Sequence, residues 1–201
     1  MHADRPGRQL RSLAAPRTGL RDAGTWLHWL DEAFASTPAR RWHSRAVWHR
    51  VASGRRHELR WLDDDRFETL ELAALLHDIG RAIDPENLEP HGFVGARFLD
   101  DIGLHDVAPL VAHHSGALEE ARDRGVAHLD MWQADPVLVE VLTYVDRTTG
   151  PHGESITLDE RRADLVARYG VDGSPVRWFD ETVHVAQAGA AHCAPRRALS
   201  A

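Results

Sequence analysis

The stretch LAALLHDIG, residues 72–80, ends an apolar run in two polar side chains, His77 and Asp78. Leu70 and Ala74 precede His77 by seven and three residues, which is the spacing of one helix face. The imidazole of His77 is therefore predicted to point toward the protein core. Burying a lone imidazole or carboxylate is costly unless the group is paired or binds a metal. This stretch therefore indicates a helix whose buried polar side chains are paired or bind a metal.

The same arrangement recurs on four other predicted helices. Each places one polar side chain on its apolar stripe: His43, His91, His114 and Asp146. A single residue of this kind is commonly a satisfied core residue, but five helices that each turn one inward indicate a shared site. Four His with two Asp form a mixed nitrogen and oxygen ligand set, which suits Fe, Mn, Co, Ni or Zn better than Ca or Mg alone. The pattern predicts a metal centre in the core of a helical bundle.

The rest of the chain predicts an all-α fold of about eight helices, because alternating β-branched runs are nearly absent. Residues 1–22 and 191–201 lack apolar periodicity and are predicted to form a flexible N-terminal arm and a flexible C-terminal tail around a single domain over 23–190. The predicted helices lie near residues 24–35, 38–60, 65–80, 91–103, 106–115, 135–149, 158–169 and 175–190.

Composition restricts the partners. The chain has 201 residues, a formal net charge of −7 and no basic stripe, so we expect no binding to a nucleic-acid polymer. The apolar runs are far shorter than a membrane span, and the first residues lack the apolar segment of a signal peptide, so no membrane partner is expected. A single cysteine, Cys193, excludes an intrachain disulfide and favours a cytoplasmic protein. The sequence does not indicate an oligomeric state.

The six polar residues and their neighbours resemble the HD superfamily of metal-dependent phosphohydrolases. The resemblance covers residues 43 to 146 and is to the stand-alone subgroup with two metals, in the order H…HD…H…H…D. The local sequences that carry it are WHSRAV around His43, LAALLHDIG around His77 and Asp78, HGFVGARFL at His91, VAHHSGA at His114 and LTYVDRTTG at Asp146.

This resemblance implies an HD-domain helical bundle with two divalent transition metals, iron first, with manganese, cobalt, nickel and zinc as the alternatives. Asp78 would bridge the metals. His43, His77 and Asp146 would complete the ligand set of one metal, and His91 with His114 would complete that of the other. A hydroxide activated by the metals would then attack a phosphate ester.

Further residues are predicted to act beside the metals. His113 and His114 differ by about 100° around a helix, and the stripe of Val107 and Val111 favours His114 as the ligand. His113 would then orient substrate, or the two histidines could divide these roles differently. The predicted catalytic residues are Asp78, Arg81 and His113. Arg81 is also a predicted phosphate contact. The residues that follow Asp146 are predicted to line the substrate pocket: Arg147, Thr148 and Thr149.

Three functions remain open on this evidence. The first is hydrolysis of a small phosphorylated substrate, either a nucleotide or another metabolite phosphate. The second is a mixed-valence di-iron oxygenase of the same fold, which would cleave a C–C or C–P bond with the same six ligands. The third is a non-catalytic regulatory domain, against which the complete ligand set speaks.

Overall fold

A computed structural model describes residues 14–126 and 132–194. Over these residues the chain forms ten α-helices and one 3₁₀ turn, and its β-structure is an isolated bridge between Thr149 and Ser155. The all-α prediction is confirmed. The helices are α1 (Ala23–Ala33), α2 (Pro38–Gly54), α3 (Asp64–Leu76), α4 (Ile79–Ile83), α5 (His91–Asp101), α6 (Ala108–His113), α7 (Ala117–Asp123), α8 (Pro136–Arg147), α9 (Leu158–Tyr169) and α10 (Ser174–Cys193), with the 3₁₀ turn at His114–Gly116.

Helix α3 lies at the centre of the bundle. Its side chains Leu70, Leu75 and Leu76 are fully buried, against the equally buried Val141 and Leu142 of α8. Burial of each such side chain contributes about 1.5–3 kcal/mol. Helix α10 packs along α8. The centre of the bundle is thus apolar, and the polar site lies where α3 ends.

The short elements around the site differ from the sequence prediction. The helix predicted over 65–80 is divided, because the chain leaves the helical path at Asp78 (φ −94°, ψ 7°) before α4 begins. Helix α4 crosses α5 so closely that a Cβ on Gly80 would overlap the carbonyl oxygen of His91. The predicted helix over 38–60 ends at Gly54, a residue that disfavours helix interiors. Helix α7 was not predicted.

Residues 14–22 of the predicted arm contact the first helix. Trp29 Nε1 donates a hydrogen bond to the carbonyl of Ala14 (3.1 Å), and Trp26 Nε1 donates to that of Leu20 (2.9 Å). The first 13 residues of the predicted arm lie outside the described part. At the other end, helix α10 extends to Cys193, and residues 195–201 of the predicted tail lie outside the described part of the chain. Among the described helices, none has the length and apolar character required to cross a membrane.

Candidate metal centre

A cavity of about 750 Å³ opens beside α4 and α5, and the predicted ligands lie at its base. Five of the six line it directly: His43, Asp78, His91, His114 and Asp146. The sixth, His77, lies beneath them and is 1% exposed. Side chains from five separate parts of the chain therefore meet at one place.

The ligands form two groups of three. The first triad is His43, His77 and Asp146, and the second triad is Asp78, His91 and His114. Within each triad the ligating atoms lie within 4.8 Å of one another. In the first triad, Asp146 Oδ1 lies 2.8 Å from His43 Nε2 and 3.5 Å from His77 Nε2.

Asp78 lies between the two triads. Its Oδ1 is 3.4 Å from His91 Nε2, and its Oδ2 is 3.9 Å from His77 Nε2. Each carboxylate oxygen thus faces a histidine of a different triad. This is the placement that a carboxylate shared between two metals requires.

Backbone carbonyls set the orientation of three histidines. Their Nδ1 atoms lie 2.9 Å from the Ala74 carbonyl (His77), 2.7 Å from that of Val111 (His114) and 3.2 Å from that of Gly150 (His43). Because a carbonyl oxygen only accepts, the proton of His77 and of His114 lies on Nδ1, and the Nε2 lone pair points toward the cavity. Nε2 of His43 instead makes a 2.8 Å hydrogen bond to Asp146 Oδ1. Nε2 of His77 is buried with no hydrogen-bond partner, which is costly unless a cation binds it.

A second observation indicates a cation in the second triad. Nε2 of His91 and Nε2 of His114 face each other at 3.3 Å. His114 donates its Nδ1 proton to the carbonyl of Val111, so its Nε2 carries a lone pair. Nδ1 of His91 faces the carboxylate of Glu120 at 3.5 Å, which places the proton of His91 on Nδ1 and a second lone pair on its Nε2. Two lone pairs at this distance repel unless a cation lies between them. Ligands at bond lengths of about 2.1 Å are separated by about 3.0–3.4 Å from one another, close to the distances found here.

Burial sets the protonation of three histidines. It lowers the pKa of His77, and it lowers the pKa of His91 and of His114 to about 4, with nearby cationic groups adding to the effect. These imidazoles are therefore neutral near pH 7, the form that binds metals. For His43, burial acts to lower the pKa, but the hydrogen bond to Asp146 outweighs it and the pKa is raised.

Both carboxylates are ionised. Burial acts to raise the pKa of Asp78, but Arg81 and Arg40 outweigh it and hold the pKa well below its ordinary value. For Asp146 burial is likewise outweighed, first by the hydrogen bond with His43. The site thus combines two negative charges with the three neutral imidazoles of His77, His91 and His114, a donor set that fits divalent transition metals.

The HD domain family model matches residues 43–166. The chain belongs to the HD domain family. This family is part of a superfamily of metal-dependent phosphohydrolases, and membership implies that the chain binds divalent metal. The match begins at His43 and includes all six residues of the two triads. No curated protein and no solved structure matches the chain.

Two arginines of this HD domain contact Asp78 from opposite sides. Arg81, predicted as a phosphate contact, donates from Nε to Asp78 Oδ1 (2.8 Å), and its Nη2 lies 3.4 Å from His91 Nε2. Arg40, which the sequence prediction missed, donates from Nη1 to Asp78 Oδ2 (2.9 Å). Its position three residues before His43 places it on the same face of α2, and this spacing could have identified it.

His113 and His114 of the HD domain are separated by the end of α6. The helix stops at His113, and His114 has extended backbone (φ −68°, ψ 148°) that turns its ring into the cavity. The ring of His113 instead makes a 2.8 Å hydrogen bond from Nε2 to the carbonyl of Trp132, and it does not line the cavity. The helix end thus directs the two side chains to different surroundings, and the catalytic role of His113 stays a prediction from the sequence.

The residues after Asp146 also differ from the prediction. The hydroxyls of Thr148 and Thr149 donate to the carbonyls one helical turn earlier and accept from Arg50, and neither residue lines the cavity. The structure therefore places both hydroxyls away from the cavity, and their contact with substrate stays a prediction. Arg147 does border the cavity, but the residue is 4% exposed and its guanidinium donates to the carbonyl of Thr182 (3.0 Å). It links α8 to α10.

Ser115 is a residue of the site that the sequence prediction missed. Its hydroxyl donates a short hydrogen bond to Asp146 Oδ2, which leaves Oδ1 directed at the histidines of the first triad. Its backbone has a φ of +50°, a conformation that non-glycine residues rarely adopt. Strained backbone of this kind is typical of functional sites. Apolar periodicity carries no signal for such a residue.

Proposed function

We propose that this protein is a metal-dependent hydrolase of a phosphate ester, acting on a nucleotide or a small metabolite phosphate. The observation that carries the proposal is the pair of His/Asp triads at the base of a cavity with guanidinium groups in its walls. The triads are suited to two divalent metals, and the arginines are suited to an anionic substrate.

The cavity wall supports a phosphorylated substrate. Arg40, Arg81 and Arg124 line it near the triads, and the side chain of Arg40 is 41% exposed. Guanidinium groups bind phosphate oxygens through paired, charge-assisted hydrogen bonds. Tyr169 and Trp178 also line the cavity and offer flat apolar surface for an organic group.

The proposed hydrolysis needs metal ligands that are held in place and cations that bind the phosphate group. When bound, two divalent metals would make a water molecule nucleophilic near neutral pH and neutralise charge on the phosphoryl oxygens. His77 and His114 are fixed by backbone carbonyls, so their Nε2 atoms are oriented before any ligand arrives. Arg40 and Arg81 hold Asp78 from both sides and lie within reach of an anion above it. Their charge would orient the phosphate group toward the base of the cavity.

The test is an activity assay on the full chain loaded in turn with Fe, Mn, Co, Ni or Zn. The substrates are nucleoside monophosphates, sugar phosphates and an aryl phosphate, with phosphate release and oxygen uptake measured in parallel. We expect metal-dependent phosphate release, abolished in Asp78→Ala and unchanged in Asp101→Asn, an exposed control on α5. Oxygen uptake with an organic phosphonate or a polyol, without phosphate ester hydrolysis by any metal form, would contradict the proposal and identify the di-iron oxygenase instead.

A further inference from the structure

The four histidines of the triads are not oriented in the same way. Nδ1 of His43, His77 and His114 faces a backbone carbonyl, whereas Nδ1 of His91 faces the carboxylate oxygen Oε2 of Glu120, 3.5 Å away. In this structure Nδ1 of His91 is buried and makes no hydrogen bond, and the Glu120 carboxylate is the acceptor group that faces it. Its orientation therefore depends on a side chain.

The position of His91 in its helix explains the difference. His77 and His114 directly follow the last turns of α3 and α6, and each reaches the carbonyl three residues earlier, that of Ala74 and that of Val111. His91 is the first residue of α5 and follows Pro90, so no helical turn precedes it. A histidine at a helix start has no carbonyl at this spacing to accept its Nδ1 proton.

Glu120 is itself held in place. It lies in the first turn of α7, where the helix dipole favours a carboxylate, and it is 7% exposed. Arg124 donates from Nη1 to Glu120 Oε1 (2.7 Å) and from Nη2 to the carbonyl of Asn87 (2.7 Å). Arg124 therefore ties Glu120 to the loop that leads into His91.

We propose that Glu120 is the positioning residue of the second triad, fixing the ring of His91 through Nδ1 so that Nε2 faces Asp78 and His114. This role rests on the proposed metal centre. A carboxylate behind a ligating histidine fixes its tautomer and raises its basicity as a ligand. The second triad would therefore depend on α7 and Arg124, whereas the first triad would not.

The experiment is a Co²⁺ titration of the metal-free full chain, followed by visible absorption and calorimetry. The variants are Glu120→Ala and Glu120→Gln, with Glu119→Gln as the matched control, because Glu119 pairs with Arg122 and does not line the cavity. A His114→Ala variant identifies the equivalent of metal that belongs to the second triad. Far-UV circular dichroism checks that each variant is folded.

In Glu120→Ala we expect the second-triad metal to bind about 10–100-fold more weakly, with the other equivalent unchanged. Glu120→Gln should lose less affinity for this metal, because the amide oxygen still accepts from Nδ1. Glu119→Gln should bind both equivalents with the affinity of the wild type. The role of Glu120 is overturned if Glu120→Ala binds both equivalents as the wild type does, or weakens both equally. A wild type that binds fewer than two equivalents would instead overturn the two-metal centre, and the role with it.

Discussion

Gly80→Ala tests whether the approach of α4 to α5 determines the second triad. Gly80 packs against the start of α5, where a new Cβ would overlap the carbonyl oxygen of His91 and lie 2.8 Å from the amide nitrogen of Gly95. Ordinary contacts begin at 3.4 Å, so the Gly95 contact alone requires a separation of about 0.6 Å, and the closer overlap with the His91 carbonyl oxygen requires more. The obstacle is backbone on both sides, so no side-chain rotation relieves it.

Two opposite effects decide the stability of this variant. Alanine favours a helix over glycine by about 1 kcal/mol, while overpacking of this kind costs about 1–3 kcal/mol. Because the overlap is with backbone, we expect a net loss of about 1–2 kcal/mol. At about 2–4 °C for each kcal/mol, the Tm should fall by about 2–8 °C.

The effect on metal binding should be larger than the effect on folding. Metal–ligand distances tolerate deviations of about 0.2 Å, so a shift of His91 by several times that amount should weaken the second-triad metal at least about tenfold. The assay combines a thermal melt with a Co²⁺ titration, and Gly24→Ala in α1 is the control, since the nearest atoms to its Cβ belong to the Asp22 side chain, the closest at 3.2 Å, and none is backbone. A Gly80→Ala protein with wild-type Tm and wild-type affinity at both triads would refute this reasoning.

Other predictions address separate contacts. Arg81→Ala should retain both metals yet lower kcat/KM about ten- to a hundred-fold, because a hydrogen bond to a charged group contributes about 1.5–3 kcal/mol; unchanged kinetics would exclude contact with substrate. Ser115→Gly and Ser115→Ala both remove the hydroxyl bound to Asp146, but only glycine adopts a φ of +50° without strain. In denaturant melts Ser115→Gly should therefore be more stable than Ser115→Ala by about 1 kcal/mol, and equal stability would show that the backbone is not strained. In the metal-free protein the pKa values of His91 and His114 are about 4, below the unfolded value, so an unfolded chain takes up protons that the native chain does not. Its stability should therefore fall between about pH 6.5 and pH 4 by about 1.4 kcal/mol per pH unit for each histidine, and a Tm that stays constant over this range would contradict their burial as neutral groups.

The sequence predicted the position of a site residue best where that residue lies on the apolar face of a regular helix. His43 and His77 lie on apolar helix faces, and burial of those faces turns their rings inward, so the spacing alone was sufficient to place them. His114 was selected by the same rule although it lies one residue beyond the end of α6, where extended backbone turns it into the cavity. The rule did not detect where that helix ends, which is why it gave no sign that the ring of His113 would face the carbonyl of Trp132.

The contacts that support the ligands were not predictable in this way. Glu120 is a charged residue on a partly exposed helix, and only the packing of α7 brings it to the site. Thr148 and Thr149 are adjacent to Asp146 in sequence, but their hydroxyls bond to their own helix, as threonines at helix ends commonly do. Proximity in sequence was therefore a poor guide to proximity in the cavity.

The most direct test of a two-metal HD centre is an anomalous-scattering map from crystals of the purified protein, collected at the absorption edges of Fe, Mn, Co, Ni and Zn. Two peaks are expected, one among His43, His77 and Asp146 and the other between His91 and His114, with Asp78 in contact with both. The absence of any peak in this cavity, in protein that is fully folded and supplied with these metals, would contradict the account.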